Sequence, residues 1–168
     1  MNKFLEISTE KLTDDKTKKK FETYPSIYIK LVKSKTNENN IDIVLHIHFN
    51  DYPGRKYDLP GKYSGFSIYI PEAQLPNYRI SQGIAESIRK ELEKIQSASN
   101  FPKEKETVVE DQQLIAVGSN ASRDGASVLV EYGYIYEDKI YDKKTREQIL
   151  VDMAYQTYLG VKNYFEQI

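Results

Sequence analysis

Two histidines are the entire imidazole complement of this 168-residue chain, and they stand two apart as His46 and His48 in Ile41-Asp-Ile-Val-Leu-His-Ile-His-Phe-Asn-Asp51. Imidazole binds metals and moves protons near neutrality, so this pair is the first place to look for chemistry. Ile41, Ile43, Leu45, Ile47 and Phe49 alternate with Asp42, Val44, His46 and His48, which is the period of a β-strand. Residues two apart on a strand point the same way, with Cβ atoms about 7 Å apart. Val44 makes the second face partly apolar, which predicts a strand buried on both sides, as in a parallel sheet between helices. Asn50 and Asp51 end the strand, and Pro53-Gly54 turns the chain away. The imidazoles thus lie near a strand's carboxyl end, where open α/β sheets place their ligands. Two histidines fall short of the three protein donors of a catalytic zinc site, and a strand histidine can equally be a hydrogen-bonded core or edge residue.

The second chemically suggestive stretch is Ser127-Val-Leu-Val-Glu-Tyr-Gly-Tyr-Ile-Tyr136, a strand pattern with Glu131 in its middle. A carboxylate in a central strand is costly unless it is paired, metal-bound or kept protonated. A structural ion pair is the competing reading. Gly133 lets a backbone or a ligand approach closely.

These residues need a scaffold. Phe4, Leu5 and Ile7 suggest a short first strand, and Ser26 to Lys35 reads as helix or strand on pattern alone. Asp51 to Ser64, with its Pro and Gly residues, is a loop beside the histidine strand, a natural place for substrate contacts. Gly65 to Ile70 alternates as a strand and stops at Pro71. Ser81 is expected to cap a helix running to about Ser97, with Ile84, Ile88, Leu92 and Ile95 in the core. Ser97 to Lys105 reads as a polar connection, Leu114 to Val117 as a short strand and Gly118 to Gly125 as a loop. From Thr145 a long helix is predicted, with Leu150, Ala154, Thr157, Val161, Tyr164 or Phe165 and Ile168 facing inward. Gly160 is expected to permit close helix packing. The order β-α-β-β-α-β-β-α predicts an α/β fold, a three-layer sandwich with a mostly parallel twisted sheet and helices on both faces.

Length suits one domain over residues 1–168. A formal net charge of −1 gives no electrostatic support for nucleic-acid binding. The absence of Cys excludes disulfides and thiolate chemistry, so any metal would sit on nitrogen and oxygen. No apolar run is long enough for an integral membrane segment, and the amino terminus turns polar too soon for a signal peptide. Fourteen Tyr and no Trp suit either a groove wall or the core.

Together the two stretches resemble the zinc-dependent N-acetylmuramoyl-L-alanine amidases. Leu45-His-Ile-His48-Phe-Asn50 is similar to that family's strand ending in Ser-Ile-His-x-Asn. Val128-Leu-Val-Glu131-Tyr-Gly133-Tyr-Ile135 is similar to its late Val-Leu-Val-Glu strand. Leu12-Thr13 matches the start of a Leu-Thr-Arg segment, with Asp14 in place of Arg. The resemblance covers nearly the whole chain from about Lys11 and favours a helix over Ser26 to Lys35. It implies zinc as cofactor, His48 as a metal ligand, Glu131 as the catalytic general base, and peptidoglycan or a muropeptide as partner. The expected reaction is hydrolysis of the amide between N-acetylmuramic acid and L-alanine, in the cell envelope or outside the cell. Asn50 is expected to contact substrate or shape the site. The family's other zinc ligands, an earlier His and a Glu on the next helix, have no counterpart, since no histidine precedes His46. The chain therefore reads as N-terminally truncated relative to the family, or as having rebuilt its site around His46 and His48. The alternative is a non-catalytic peptidoglycan-binding or regulatory domain that retains the fold.

Overall fold

The computed structural model describes residues 42–52, 55–56, 59–114, 117 and 125–167. The expected strand at Phe4 to Ile7, the helix at Ser26 to Lys35 and the middle two residues of the Leu114 to Val117 segment lie outside them.

The two chemically informative stretches become the two longest strands, β1 (Ile43–Asn50) and β4 (Ala126–Tyr134). Between them in sequence come β2 (Ser67–Ile70) and β3 (Val108–Glu110). They form one mixed sheet in the order β1-β4-β2-β3. β1 runs parallel to β4, and β2 parallel to β3, while β2 and β4 are antiparallel. The antiparallel junction at the centre makes the sheet mixed, and β3 lies between Lys105 and Leu114, where the sequence pattern assigned no element.

Helix α1 (Tyr78–Leu92) buries Ile84, Ala85, Ile88 and Leu92 against Ile68, Val128, Val130 and Tyr132 of the sheet. After a short α2 (Asp138–Tyr141), α3 (Lys143–Glu166) packs beside α1 and completes an α/β sandwich. Asp142 caps α3 by accepting from the Lys144 amide, a first-turn donor without an intrahelical partner. The Tyr132 hydroxyl and Thr157 Oγ1, 2.8 Å apart, join β4 to α3.

Four details of the sequence reading change. Helix α1 starts at Tyr78 with Asn77 as its N-cap residue. Ser81 lies within the helix, fully buried, where its hydroxyl donates to Asn77 O and accepts from the Ser127 amide. A small hydroxyl suits a helix so close to a strand. The helix also ends at Leu92, leaving Ile95 exposed. On α3 the buried positions are Met153, Thr157 and Gly160, and Ala154 faces outward.

Gly160 meets its expectation. A Cβ there would stand 2.5 Å from Ile88 Cα, and Ser87 Oγ donates to Gly160 O at 2.7 Å. The obstacle is backbone on the facing helix, so it cannot rotate away. Gly160→Ala is expected to lower unfolding free energy by about 1–3 kcal/mol despite alanine's better helix propensity. Chemical denaturation checks this; an unchanged or higher midpoint would show that the two helices can move apart freely.

Candidate functional site

Strand register decides which side chains meet. His48 pairs with Glu131 across β1 and β4, and Glu131 pairs with Ser67 across β4 and β2. His46 pairs with Leu129, which pairs with Tyr69. Paired residues share a face, so His46, His48, Glu131, Ser67 and Tyr69 all lie on the sheet face opposite α1. The two imidazole centroids are 6.2 Å apart with rings nearly perpendicular, at 87°.

Beyond this row the register slips. Asn50 pairs with Tyr134, so β4 has one more residue than β1 between the two pairs. The extra residue is accommodated near Gly133, whose φ of +145° is unfavourable for a residue with a side chain. A Cβ on Gly133 would also stand 2.6 Å from Glu137 Oε1, the atom that accepts from the Tyr134 amide at 2.7 Å and the Gly65 amide at 3.1 Å. The bulge brings the Tyr134 phenol back to the Glu131 face.

On that face sits a carboxylate that sequence reading missed. Glu104, in a single 3₁₀ turn at Pro102–Glu104, is only 1 % exposed. It accepts from Asn50 Nδ2 at 3.1 Å, from the Tyr69 hydroxyl at 2.5 Å and from the Tyr134 hydroxyl at 3.1 Å. The side chain of Asn50 is therefore engaged within the protein. Burial, reinforced by Glu104, pushes the ionisation of Tyr69 well above the ordinary phenol range.

Electrostatics separate the remaining groups. Burial, and secondarily the charge of Glu104, pushes the Glu131 carboxyl up to about 7. Its Oε2 is buried without a hydrogen-bond partner among the described residues, so the ion-pair reading gains no support. Burial, with a smaller contribution from His48, lowers His46 to about 4, and its Nε2 is likewise buried and unpartnered. His48 is lowered too, by burial, but its side chain reaches solvent. The face thus holds two neutral imidazoles and a carboxyl that exchanges a proton near neutrality, the property a general base needs.

Past the carboxyl ends of β1 and β4, Tyr52, Tyr63, Phe101, Tyr134 and Tyr136 form a chain of ring contacts, with centroids 4.7–6.3 Å apart. Arg55 stacks over Tyr136 at 5.0 Å and makes a bidentate pair with Asp51. Beside them a cavity of about 460 Å³ is lined by Arg55, Leu59, Pro60, Ile135, Tyr136, Asp138 and Tyr141.

The model of one protein family, described as N-acetylmuramoyl-L-alanine amidase, matches residues 9–163. The chain belongs to that family. Among solved structures, this amidase-family chain is similar to the CwlD amidase of Clostridioides difficile, determined in complex with the GerS lipoprotein. The TM-score is 0.59 at 18% identity, covering 96% of this chain and 71% of that one. The N-acetylmuramyl-L-alanine amidase Ami1 of Mycobacterium smegmatis gives 0.63 at 15% identity, covering 81% and 59%. The catalytic domain of the CD27L endolysin targeting Clostridia Difficile gives 0.55 at 15%, covering 82% and 63%. At these identities the likeness is one of fold, and this chain spans 59–71% of the three structures' lengths. No curated protein sequence matches.

The zinc ion implied by the resemblance can be tested against this face. The orphaned His46 Nε2 and the half-exposed His48 are suitable nitrogen donors. No group of three or more His, Cys, Asp or Glu side chains able to hold a metal occurs among the described residues. A catalytic zinc needs three protein donors, so the described residues do not complete its shell.

Proposed function

We propose that residues 1–168 act as one amidase-like domain on peptidoglycan or a muropeptide, hydrolysing the amide between N-acetylmuramic acid and L-alanine. The observation that carries this reading is the pairing of Glu131 with His48 on one sheet face, with Glu131 Oε2 buried and unpartnered. Glu131 takes a proton from the attacking water and returns it to the leaving amine. A carboxyl poised near neutrality can do both. Asn50, held by Glu104, fixes the wall of the site at the end of β1. The proton transfers assigned to Glu131 are common to a metal-assisted and a metal-free attack by water. His48 and His46 are the nitrogen donors available to zinc on this face.

The test is amine release from purified peptidoglycan, with and without added zinc, for the wild type and Glu131→Gln. Activity in the wild type and its loss in the variant support the reading; equal activity in both removes Glu131 from the mechanism.

A second reading, consistent with a donor set that is incomplete among the described residues, is a wall-binding or regulatory domain that has kept the fold. A purified chain that carries no zinc, releases no amine and still sediments with peptidoglycan would establish it. Either reading locates the protein at the cell envelope or outside the cell. No helix among the described residues is long and apolar enough to cross a membrane.

A further inference from the structure

The cavity past the carboxyl ends of β1 and β4 has walls held in place by specific bonds. Arg55 donates to both carboxylate oxygens of Asp51, at 2.7 and 3.0 Å, and to the Lys56 and Leu59 carbonyls, at 3.1 and 2.8 Å. These bonds fix the loop that brings Leu59 and Pro60 to the cavity. Tyr136 is clamped beside them, stacked on Arg55 and so close to Gly61 that a Cβ there would collide with its ring. The apolar lining opens to solvent at Leu59, Ile135 and Tyr141, which are 51, 41 and 79 % exposed. Asp138, at the start of α2, is the remaining lining residue.

The chemistry of this lining selects a ligand. Arg55 is matched by Asp51, and nearby Lys139 Nζ lies 3.4 Å from Glu137 Oε2. Asp142 and Lys144, of opposite sign, lie with Asp138 around the adjoining cavity. The Asp138 carboxylate itself makes no hydrogen bond or ion pair with a described residue. One negative charge is therefore left over at the edge of an apolar space. An anion would be repelled by that charge, with the guanidinium already committed to Asp51. A sugar ring needs polar partners around its whole edge, and the lining offers only Asp138 and the Tyr141 hydroxyl. A cation on an alkyl stem fits both features: its methylenes lie along Leu59, Ile135 and the Tyr141 ring, and its ammonium meets Asp138. At about 460 Å³ the space is small for a ligand site and suits one long side chain.

We propose that this cavity receives the ammonium-bearing side chain of a diamino acid in the peptide attached to the scissile amide, with Asp138 as its ion-pair partner and Tyr141 as its wall. This rests on the amidase reading above, which supplies the peptide. The lengths agree. Ile135 lies four residues beyond Glu131, or about 13 Å along the strand direction. An extended peptide arrives at its third residue after about 10 Å, and a lysine side chain spans the rest.

Titrations followed through the amide NMR signals of Ile135 and Tyr141 test the site. The probes are N-acetyl-L-Ala-γ-D-Glu-L-Lys and its norleucine counterpart, which has the same stem without the ammonium. The wild type is expected to bind the lysine peptide about three- to tenfold more tightly. Asp138→Asn is expected to abolish that preference while melting as the wild type does, because the side chain is exposed. Tyr141→Ala is expected to weaken both peptides, since it removes the wall along the stem. Binding is read separately from hydrolysis. A protein that keeps the preference but releases no amine from peptidoglycan loses the amidase reading and keeps the cation site. One that releases amine but binds the two peptides equally overturns the site alone. A preference that survives Asp138→Asn also overturns it, as does failure of either peptide to bind. So does N,N′-diacetylchitobiose shifting the same two signals in place of the peptides, which would make the cavity a sugar site.

Discussion

Replacing Glu131 with Gln is expected to cost about 10² to 10⁴ in amide hydrolysis while making the protein more stable above pH 7. The two effects share one cause. In the folded chain the carboxyl protonates at about 7, against an ordinary value of 4.5. Between those values the native state holds a proton that the unfolded chain releases. The stability this contributes is complete below pH 4.5 and is lost as pH rises to about 7. Gln never carries the buried charge, so the variant gains of order 1–3 kcal/mol at pH 8, tempered by the residue's partial exposure, or about 3–8 °C in Tm.

His46 acts in the opposite sense. Its folded value of about 4 lies below the ordinary 6.5, so its contribution is present above 6.5 and is lost as pH falls towards 4. His48 is shifted the same way and adds to that side. From pH 4.5 to 6.5 the carboxyl and the imidazoles oppose one another, and their net slope in the wild type is small. Glu131→Gln is expected to uncover a stability that climbs with pH across this window, and His46→Gln one that declines relative to the wild type. Thermal melts of the three proteins at half-unit pH intervals check this. Parallel curves would mean that neither group is as buried as the structure places it.

How much of this was readable beforehand depended on whether the signal was local. β1 and β4 were legible because alternation and apolar density are properties of neighbouring residues. The meeting of His48 with Glu131 is a matter of register between strands more than 80 positions apart, which no periodicity encodes; only the family resemblance suggested it. On α3 the expected inner stripe holds at Thr157, Val161 and Tyr164 but fails at Ala154, whose place is taken by Met153, because apolar residues on both sides of the helix blur the 3.6-residue pattern. β3 has only three residues, too few to display a period. Glu104 was invisible for a different reason. In Phe101-Pro-Lys-Glu-Lys-Glu106 a carboxylate reads as solvated, and its burial arises only because Asn50, Tyr69 and Tyr134 arrive from three strands to donate to it.

That convergence makes Glu104 the residue whose removal should harm the fold most. Glu104→Ala deletes the common acceptor of three donors, and the Tyr134 phenol, at 1 % exposure, has no route to solvent. Each stranded buried donor costs about 1–3 kcal/mol, and the partly exposed Asn50 and Tyr69 less, so a loss of about 3–5 kcal/mol is expected. Glu104→Gln keeps the shape and one carbonyl oxygen, so it should lose about 1–2 kcal/mol. Tyr134→Phe removes one donor and leaves the carboxylate two, so it should cost about 1 kcal/mol. The order Ala worst, then Gln, then Tyr134→Phe follows from counting unsatisfied groups, and urea denaturation measures it. If Glu104→Ala were no worse than Tyr134→Phe, the carboxylate would not be the hub that fixes the ends of β1 and β4. The wall beside Glu131 would then have to be held by the aromatic contacts of Tyr63, Phe101 and Tyr134 alone.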